Sequence, residues 1–335
     1  MLLDKNNLGF GLGLELGLGL VYDPNIGLEY ACRGNQMDVI NLMILRGAND
    51  WNYGLVGACA GNNLKMAELM ISKGANYFYS GFEKACKYGY IDIIDLMISI
   101  GANYWNAGLY YACKGNQISI LDLMIKKGAK DWNRGLAGAC CGNNLKIVEL
   151  MIKKGANDWN SGLAYACCSN NLKIVEYMIS KGANDWNRGL ANACLGGHIN
   201  IVQLMIKKGA NKWNRGLYNA CKGGQMEIAN LMIANGANDW NRGIRGACLY
   251  NQIEMAKFMI SKGVTDLTTG LIITIIDCNW RSSAMIKLLM SYDMIDLNLC
   301  LRAACEYDEP DIAKLLVLKG ANHCAHCGNI NNHVC

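Results

Sequence analysis

Glycine recurs at Gly47, Gly74, Gly101 and onward to Gly263, always 27 residues after the last. Cysteine keeps the same step from Cys32 through Cys59 and Cys86 to Cys248, and an aromatic column runs Trp51, Phe78, Trp105, Trp132, Trp159, Trp186, Trp213, Trp240. Three columns locked to one period over more than two hundred residues confine the chain to an array of small stacked units, because a single globular core places no fixed step on its sequence.

One unit, Trp132 to Asp158, reads WNRGLAGACCGNNLKIVELMIKKGAND. Gly135 to Cys141 carries small apolar residues and predicts a helix of about two turns, entered through Asn133 as a side-chain cap. The run Gly142-Asn143-Asn144 tolerates left-handed backbone angles, so the chain turns there. A second helix is expected over Leu145 to Lys154. Its apolar set, Leu145, Ile147, Val148, Leu150, Met151 and Ile152, covers most of the surface, leaving Lys146, Glu149 and Lys153 as a narrow wet stripe. A helix so nearly apolar all round needs neighbours on several sides. Gly155 stands where a glycine ends a helix.

A small-residue helix, a glycine-asparagine turn and an apolar helix closing on Gly-Ala-Asn resemble the ankyrin repeat. The departure lies between Gly128 and Leu136, about six residues shorter than the usual 33-residue period allows. The missing residues correspond to the projecting β-hairpin finger, and the Thr-Pro-Leu-His signature is absent with it. This shortened form, with Trp-Asn-x-Gly in place of the finger, is similar to ankyrin-like arrays encoded in large numbers by giant DNA viruses of amoebae. The resemblance covers residues 25 to 322. It implies an all-α, ankyrin-like helical repeat solenoid lacking β-hairpin fingers, working as a non-enzymatic scaffold for a host or viral protein on the concave face of its first helices.

At 335 residues, about eleven repeats stacked at about 8–10 Å make one curved rod on the order of 100 Å long. The 17 cysteines do not form a disulfide ladder, since column neighbours lie roughly 10 Å apart and a disulfide needs Cα atoms within about 7 Å. Nor do they converge on metal ions as zinc ligands must. They read as small buried residues that let helices approach. So many thiols without a signal peptide suit a reducing compartment, cytoplasmic (host cytoplasm in the viral setting) and not secreted. No apolar run reaches membrane-spanning length, so no membrane partner is expected.

In chain order, residues 1–24 alternate glycine and leucine, as in Gly9-Phe10-Gly11-Leu12-Gly13-Leu14, and predict an irregular cap over the first repeat. Nine repeats then open in strict register from Gly27 to Gly243. The tenth, 264–293, decays: Thr274 and Ile275 replace Ala-Cys, Asp293 replaces the closing glycine, and Cys278 to Ser283 holds about three extra residues by comparison with the usual period. An eleventh recovers register at Leu301, Ala304, Cys305 and Gly320, with Pro310 in the first turn of its second helix. A Cys/His-rich tail, 323–335, follows.

No catalytic constellation is visible, and no cofactor or small-molecule substrate is expected. His198 reads as a turn residue, and the carboxylates Asp131, Asp158 and Asp185 belong to loops rather than to an acid/base pair. In the tail, Cys324 and Cys327 have the gap that lets two thiolates reach one zinc, with His333 or Cys335 to complete the site; the competing reading is a frayed final loop. The tryptophans either fill the seam between layers or offer platforms for bases, and the adjacent asparagines, Asn52 to Asn241, read as helix caps.

Charge separates the repeats further. Residues 108–242 hold 17 Lys+Arg against 8 Asp+Glu, whereas 1–107 hold 7 against 10 and 243–335 hold 8 against 9. Within the basic middle, Arg134, Arg188, Arg215 and Arg242 share one column beside Tyr110, Tyr111, Tyr165 and Tyr218. Tyrosine and arginine varied on a fixed frame point to a protein-binding face. The bland alternative pairs each arginine with the aspartate three residues earlier. Two other functions stay open: nucleic-acid binding through the basic middle, and a structural place in a virion.

Overall fold

The structure is a computed structural model that describes residues 23–276, 283–324 and 328–329. Within them 22 helices follow one another in antiparallel pairs, one pair per repeat. The only sheet among the described residues is a two-residue antiparallel ladder pairing His323 with Asn329 and Cys324 with Gly328. The chain is therefore an all-α, ankyrin-like solenoid without hairpin fingers. The glycine/leucine cap predicted over 1–24 lies outside the described residues up to residue 22.

The second helix of the fifth repeat spans Leu145–Lys154, as its pattern predicts. The first helix starts earlier than predicted, at Trp132, and runs to Cys141. Its cap is Asp131, whose Oδ1 accepts the backbone N–H of Arg134 at 2.9 Å. Asn133 is therefore not the cap. Already inside the helix, its side chain reaches along the stack, and Oδ1 accepts the backbone N–H groups of Asn157 at 2.7 Å and Asp158 at 2.9 Å in the next repeat. Asn52, Asn106, Asn160, Asn187, Asn214 and Asn241 make the same two bonds. The asparagine column is a ladder of latches between layers. Asn160→Ala removes the acceptor from two half-exposed N–H groups and is expected to cost about 1 kcal/mol, because water only partly replaces it. Asn160→Asp keeps an acceptor oxygen and should hold stability to within about 0.5 kcal/mol. Equal shifts of the urea midpoint in the two variants would rule the latch out.

The turn chemistry follows the sequence. Asn143 adopts φ 58°, and Gly155, closing the second helix, adopts φ 114°, both left-handed. Packing then explains the columns. A Cβ added to Gly135 would sit 2.5 Å from the Met151 sulfur of its own repeat, and one added to Gly162 would meet Met178 and, at 3.4 Å, the Cys140 sulfur of the layer before. The glycine column is thus the slot that receives a methionine knob from within the repeat and a thiol from its neighbour. Leu136, Ala139, Cys140, Ile147, Val148 and Met151 are buried, while Lys146, Glu149 and Lys153 stay exposed. Burial pushes the Cys140 and Cys167 thiols up to about 12, so they pack as neutral apolar groups.

First helices lie directly against the first helices of adjacent repeats, whereas second helices pack chiefly on their own first helix. The stack therefore curves with the first helices on its inner side. In the tenth repeat the first helix spans Leu267–Ile276 and the second is shortened to Ser283–Leu289; of the stretch Cys278 to Ser283, where the extra residues are expected, all but Ser283 lies outside the described residues. Thr268 stands in the latch column there, and its Oγ1 accepts the Asp296 N–H at 3.0 Å. Among the described residues no helix is long and apolar enough to cross a membrane.

Candidate functional site

The varied positions lie on the first helices. Tyr110 and Tyr111 project from Trp105–Lys114, Arg134 and Ala137 from Trp132–Cys141, Ser161 and Tyr165 from Trp159–Cys168, and Arg188 from Trp186–Gly196. Together with Asp131, Asn133 and Asp158 they line one cavity of about 430 Å³. The space exists because Ala137 and Gly138 stand between the large rings: Tyr110 and Tyr165, two repeats apart, approach to 6.2 Å between centroids, and Tyr110 meets Tyr111 edge-on at 4.9 Å.

A polar chain runs from this cavity toward the N-terminal repeats. Arg134 Nη2 donates to the Tyr79 hydroxyl at 3.3 Å. The hydroxyl pKa values of Tyr79 and Tyr111 rise, chiefly through burial and then through the Glu83 carboxylate. Burial also raises Tyr110. Tyr79 in turn packs edge-on against Tyr104 at 5.0 Å. Sequence reasoning missed Tyr79 and Glu83. The available signal was a broken column: Tyr79 stands where the neighbouring repeats carry Asn52 and Asn106.

The other predicted residues form a second group. Tyr218 and Arg242 line a recess of about 510 Å³ with Asp239, Asn241, Arg245 and Asp266, and the Arg242 guanidinium lies over the Tyr218 ring, 5.6 Å from its centroid. Arg215 shares with Arg242 a separate recess of about 380 Å³ beside Lys212, Trp213 and Asn214. The eight predicted residues therefore divide between the fourth-to-seventh and the eighth-to-ninth repeats.

Pairing of each arginine with the preceding aspartate does not occur. Asp131, Asp185 and Asp239 accept the backbone N–H of Arg134, Arg188 and Arg242 at 2.9, 3.0 and 2.9 Å. The ion pairs among the described residues are Lys257–Glu254, Arg302–Glu306 and Lys314–Asp311, all elsewhere. A carboxylate at the N-cap faces the unpaired backbone donors of the first turn, which are nearer than the end of an arginine side chain.

The tryptophans are half-buried against the core. Lysines ending the second helices lie over three of them, Lys73 over Trp51 at 5.0 Å, Lys127 over Trp105 at 6.0 Å and Lys154 over Trp132 at 5.8 Å, so in these layers a ring face is taken. His198 is a turn residue, its Nε2 2.9 Å from the Cys168 carbonyl of the preceding repeat. Of the predicted zinc ligands, Cys324 lies in the terminal ladder, and Cys327, His333 and Cys335 lie outside the described residues.

Residues 109–189 match the family model of ankyrin repeats, in three copies. The matched stretch is as long as three of the chain's own periods and contains the whole lining of the Tyr110-to-Arg188 cavity. No curated protein matches the chain.

Proposed function

We propose that the chain is a non-catalytic scaffold that holds a protein partner on the inner face of its first helices, centred on the cavity lined by Tyr110, Tyr111, Arg134, Tyr165 and Arg188. The carrying observation is that cavity: tyrosines and arginines from four consecutive repeats converge in a frame whose other columns hardly vary. Such side chains supply the anchors of protein interfaces, tyrosine through a rigid amphipathic ring and arginine through its planar fork of donors. Ankyrin repeats act as interaction scaffolds, which supports the reading. In the setting that the sequence resemblance implies, the partner is a host-cell or viral protein met in the host cytoplasm.

A photo-crosslinking residue placed at Ala137, inside the cavity, is expected to capture a discrete protein from host lysate at high salt and after nuclease treatment. The same residue at Lys146, on the outer helix, should capture none. Tyr110→Ala with Tyr165→Ala is expected to weaken the captured complex at least tenfold, an interface anchor being worth about 2 kcal/mol. Identical labelling from both positions would defeat the proposal.

A further inference from the structure

We propose that the partner segment is an extended acidic stretch whose carboxylates recur at every third residue, each gripped by one arginine of the row Arg188, Arg215 and Arg242. This rests on the protein-binding reading above and names the chemistry of the partner.

The row supplies one guanidinium per layer in three consecutive layers, each from the same position of its first helix, Trp186–Gly196, Trp213–Gly223 and Trp240–Leu249. None of the three is in an ion pair among the described residues, and Asp185 and Asp239, the acids closest in sequence, turn toward backbone N–H groups. In the middle layer Lys212 takes the place that aspartate holds at Asp131, Asp158, Asp185 and Asp239. The recess between Arg215 and Arg242 is consequently lined by Asn211, Lys212, Trp213, Asn214 and Gly236 besides the two arginines, with no carboxylate. Arg242 is braced over the Tyr218 ring, which holds its fork in one plane.

Geometry then fixes the register. Layers of packed helices stand about 8–10 Å apart, and a peptide in the polyproline II conformation advances about 3.1 Å per residue with three residues per turn, so every third side chain returns to the same face. Three residues of peptide therefore span one layer, so acids at i, i+3 and i+6 meet Arg188, Arg215 and Arg242 in turn. With the same step continued, the acid at i−6 meets Arg134 and position i−3 faces Ser161, where charge is not required. Each match is a charge-assisted, forked hydrogen-bond pair.

The test uses the full chain and two labelled twelve-residue peptides of identical composition. One carries glutamate at every third position and the other carries the same glutamates bunched at one end; binding is followed by fluorescence anisotropy. The spaced peptide is expected to bind about tenfold more tightly. Arg215→Gln, which removes the charge without reversing it, should weaken the spaced peptide about tenfold, and the triple variant Arg188→Glu, Arg215→Glu, Arg242→Glu should abolish binding with an unchanged helical circular-dichroism spectrum. Lys146→Glu lowers the net charge on the outer helix and should leave binding as it was. Equal affinity for the two peptides, no binding by either, equal loss in Lys146→Glu, or tighter binding of a single-stranded DNA of the same charge would each overturn the proposal. Crosslinking from Ala137 is scored separately, so a failed register leaves the scaffold reading to stand or fall by itself.

Discussion

Met151→Ala is expected to lower the free energy of unfolding by about 2–5 kcal/mol, the range for emptying a fully enclosed methionine site. Met151 is buried, and its sulfur occupies the slot over Gly135. With the side chain gone, nothing from the same repeat fills that slot, and the facing first helices are held by their neighbours in the stack. Stability of a repeat array is close to a sum of repeat and interface terms, so a loss in the fifth repeat weakens both of its interfaces. Lys153→Ala, on the wet stripe, should stay within about 0.5 kcal/mol. A double-mutant cycle isolates the contact. Gly135→Ala alone drives a Cβ into the sulfur, whereas in the Met151→Ala background the same methyl keeps only its contact with Leu109 at 3.3 Å and also gains up to about 1 kcal/mol of helix propensity. The two substitutions are therefore expected to be non-additive by more than about 0.5 kcal/mol, with the double variant more stable than the sum predicts. Additive urea midpoints would show that Gly135 and Met151 do not touch as described.

The repeat frame is legible in the sequence because each column answers to one local constraint. Asn143 and Gly155 announce left-handed turns, and the apolar run over Leu145–Lys154 announces an enclosed helix; both are found where the pattern puts them. Asp131 and Asn133 are different. Both residue types cap helices well, and local sequence does not choose between them. What decides is the loop of the next repeat, 24 residues on, whose two N–H groups take up the Asn133 oxygen. The same limit applies to the arginines: three residues of separation suggest an Asp131–Arg134 pair, but the cap geometry sends the carboxylate to the backbone. At the candidate site, recurrence pointed to Tyr110, Tyr165 and the arginine column. Tyr79 is hidden because it replaces the asparagine that recurs at Asn52 and Asn106, and Glu83 because its column, which also holds Val56, Tyr110 and Ala137, has no fixed residue to mark it. The bond between Tyr79 and Arg134 spans 55 residues, two layers of the stack, and depends on how the first helices face each other.

Gly138→Val is expected to be the more damaging substitution for the site itself. A Cβ at Gly138 would run into the backbone carbonyl of Tyr110 on the neighbouring first helix, not into a side chain that can swing aside. Gly57 and Gly246 meet the carbonyls of Glu29 and Tyr218 in the same way. Elsewhere this column holds larger residues, Tyr30, Lys84, Tyr111, Tyr165, Asn192, Asn219 and Ile273, and at each of the three glycine layers the first helices lie closer to the preceding ones. The column therefore sets the spacing of the inner face: glycine draws two layers together, and a larger residue parts them. The cavity lies where both occur in succession, with Gly138 pressed onto Trp105–Lys114 and Tyr165 holding Trp159–Cys168 away. Valine at 138 forces a backbone shift, costing about 1–3 kcal/mol or more as overpacking does, and it moves Trp132–Cys141 out of register with Tyr110. Partner capture from Ala137 should fall with it, even at temperatures where the variant remains folded. A Gly138→Val protein that kept both its urea midpoint and its capture would show that the close approach does not set the shape of this face.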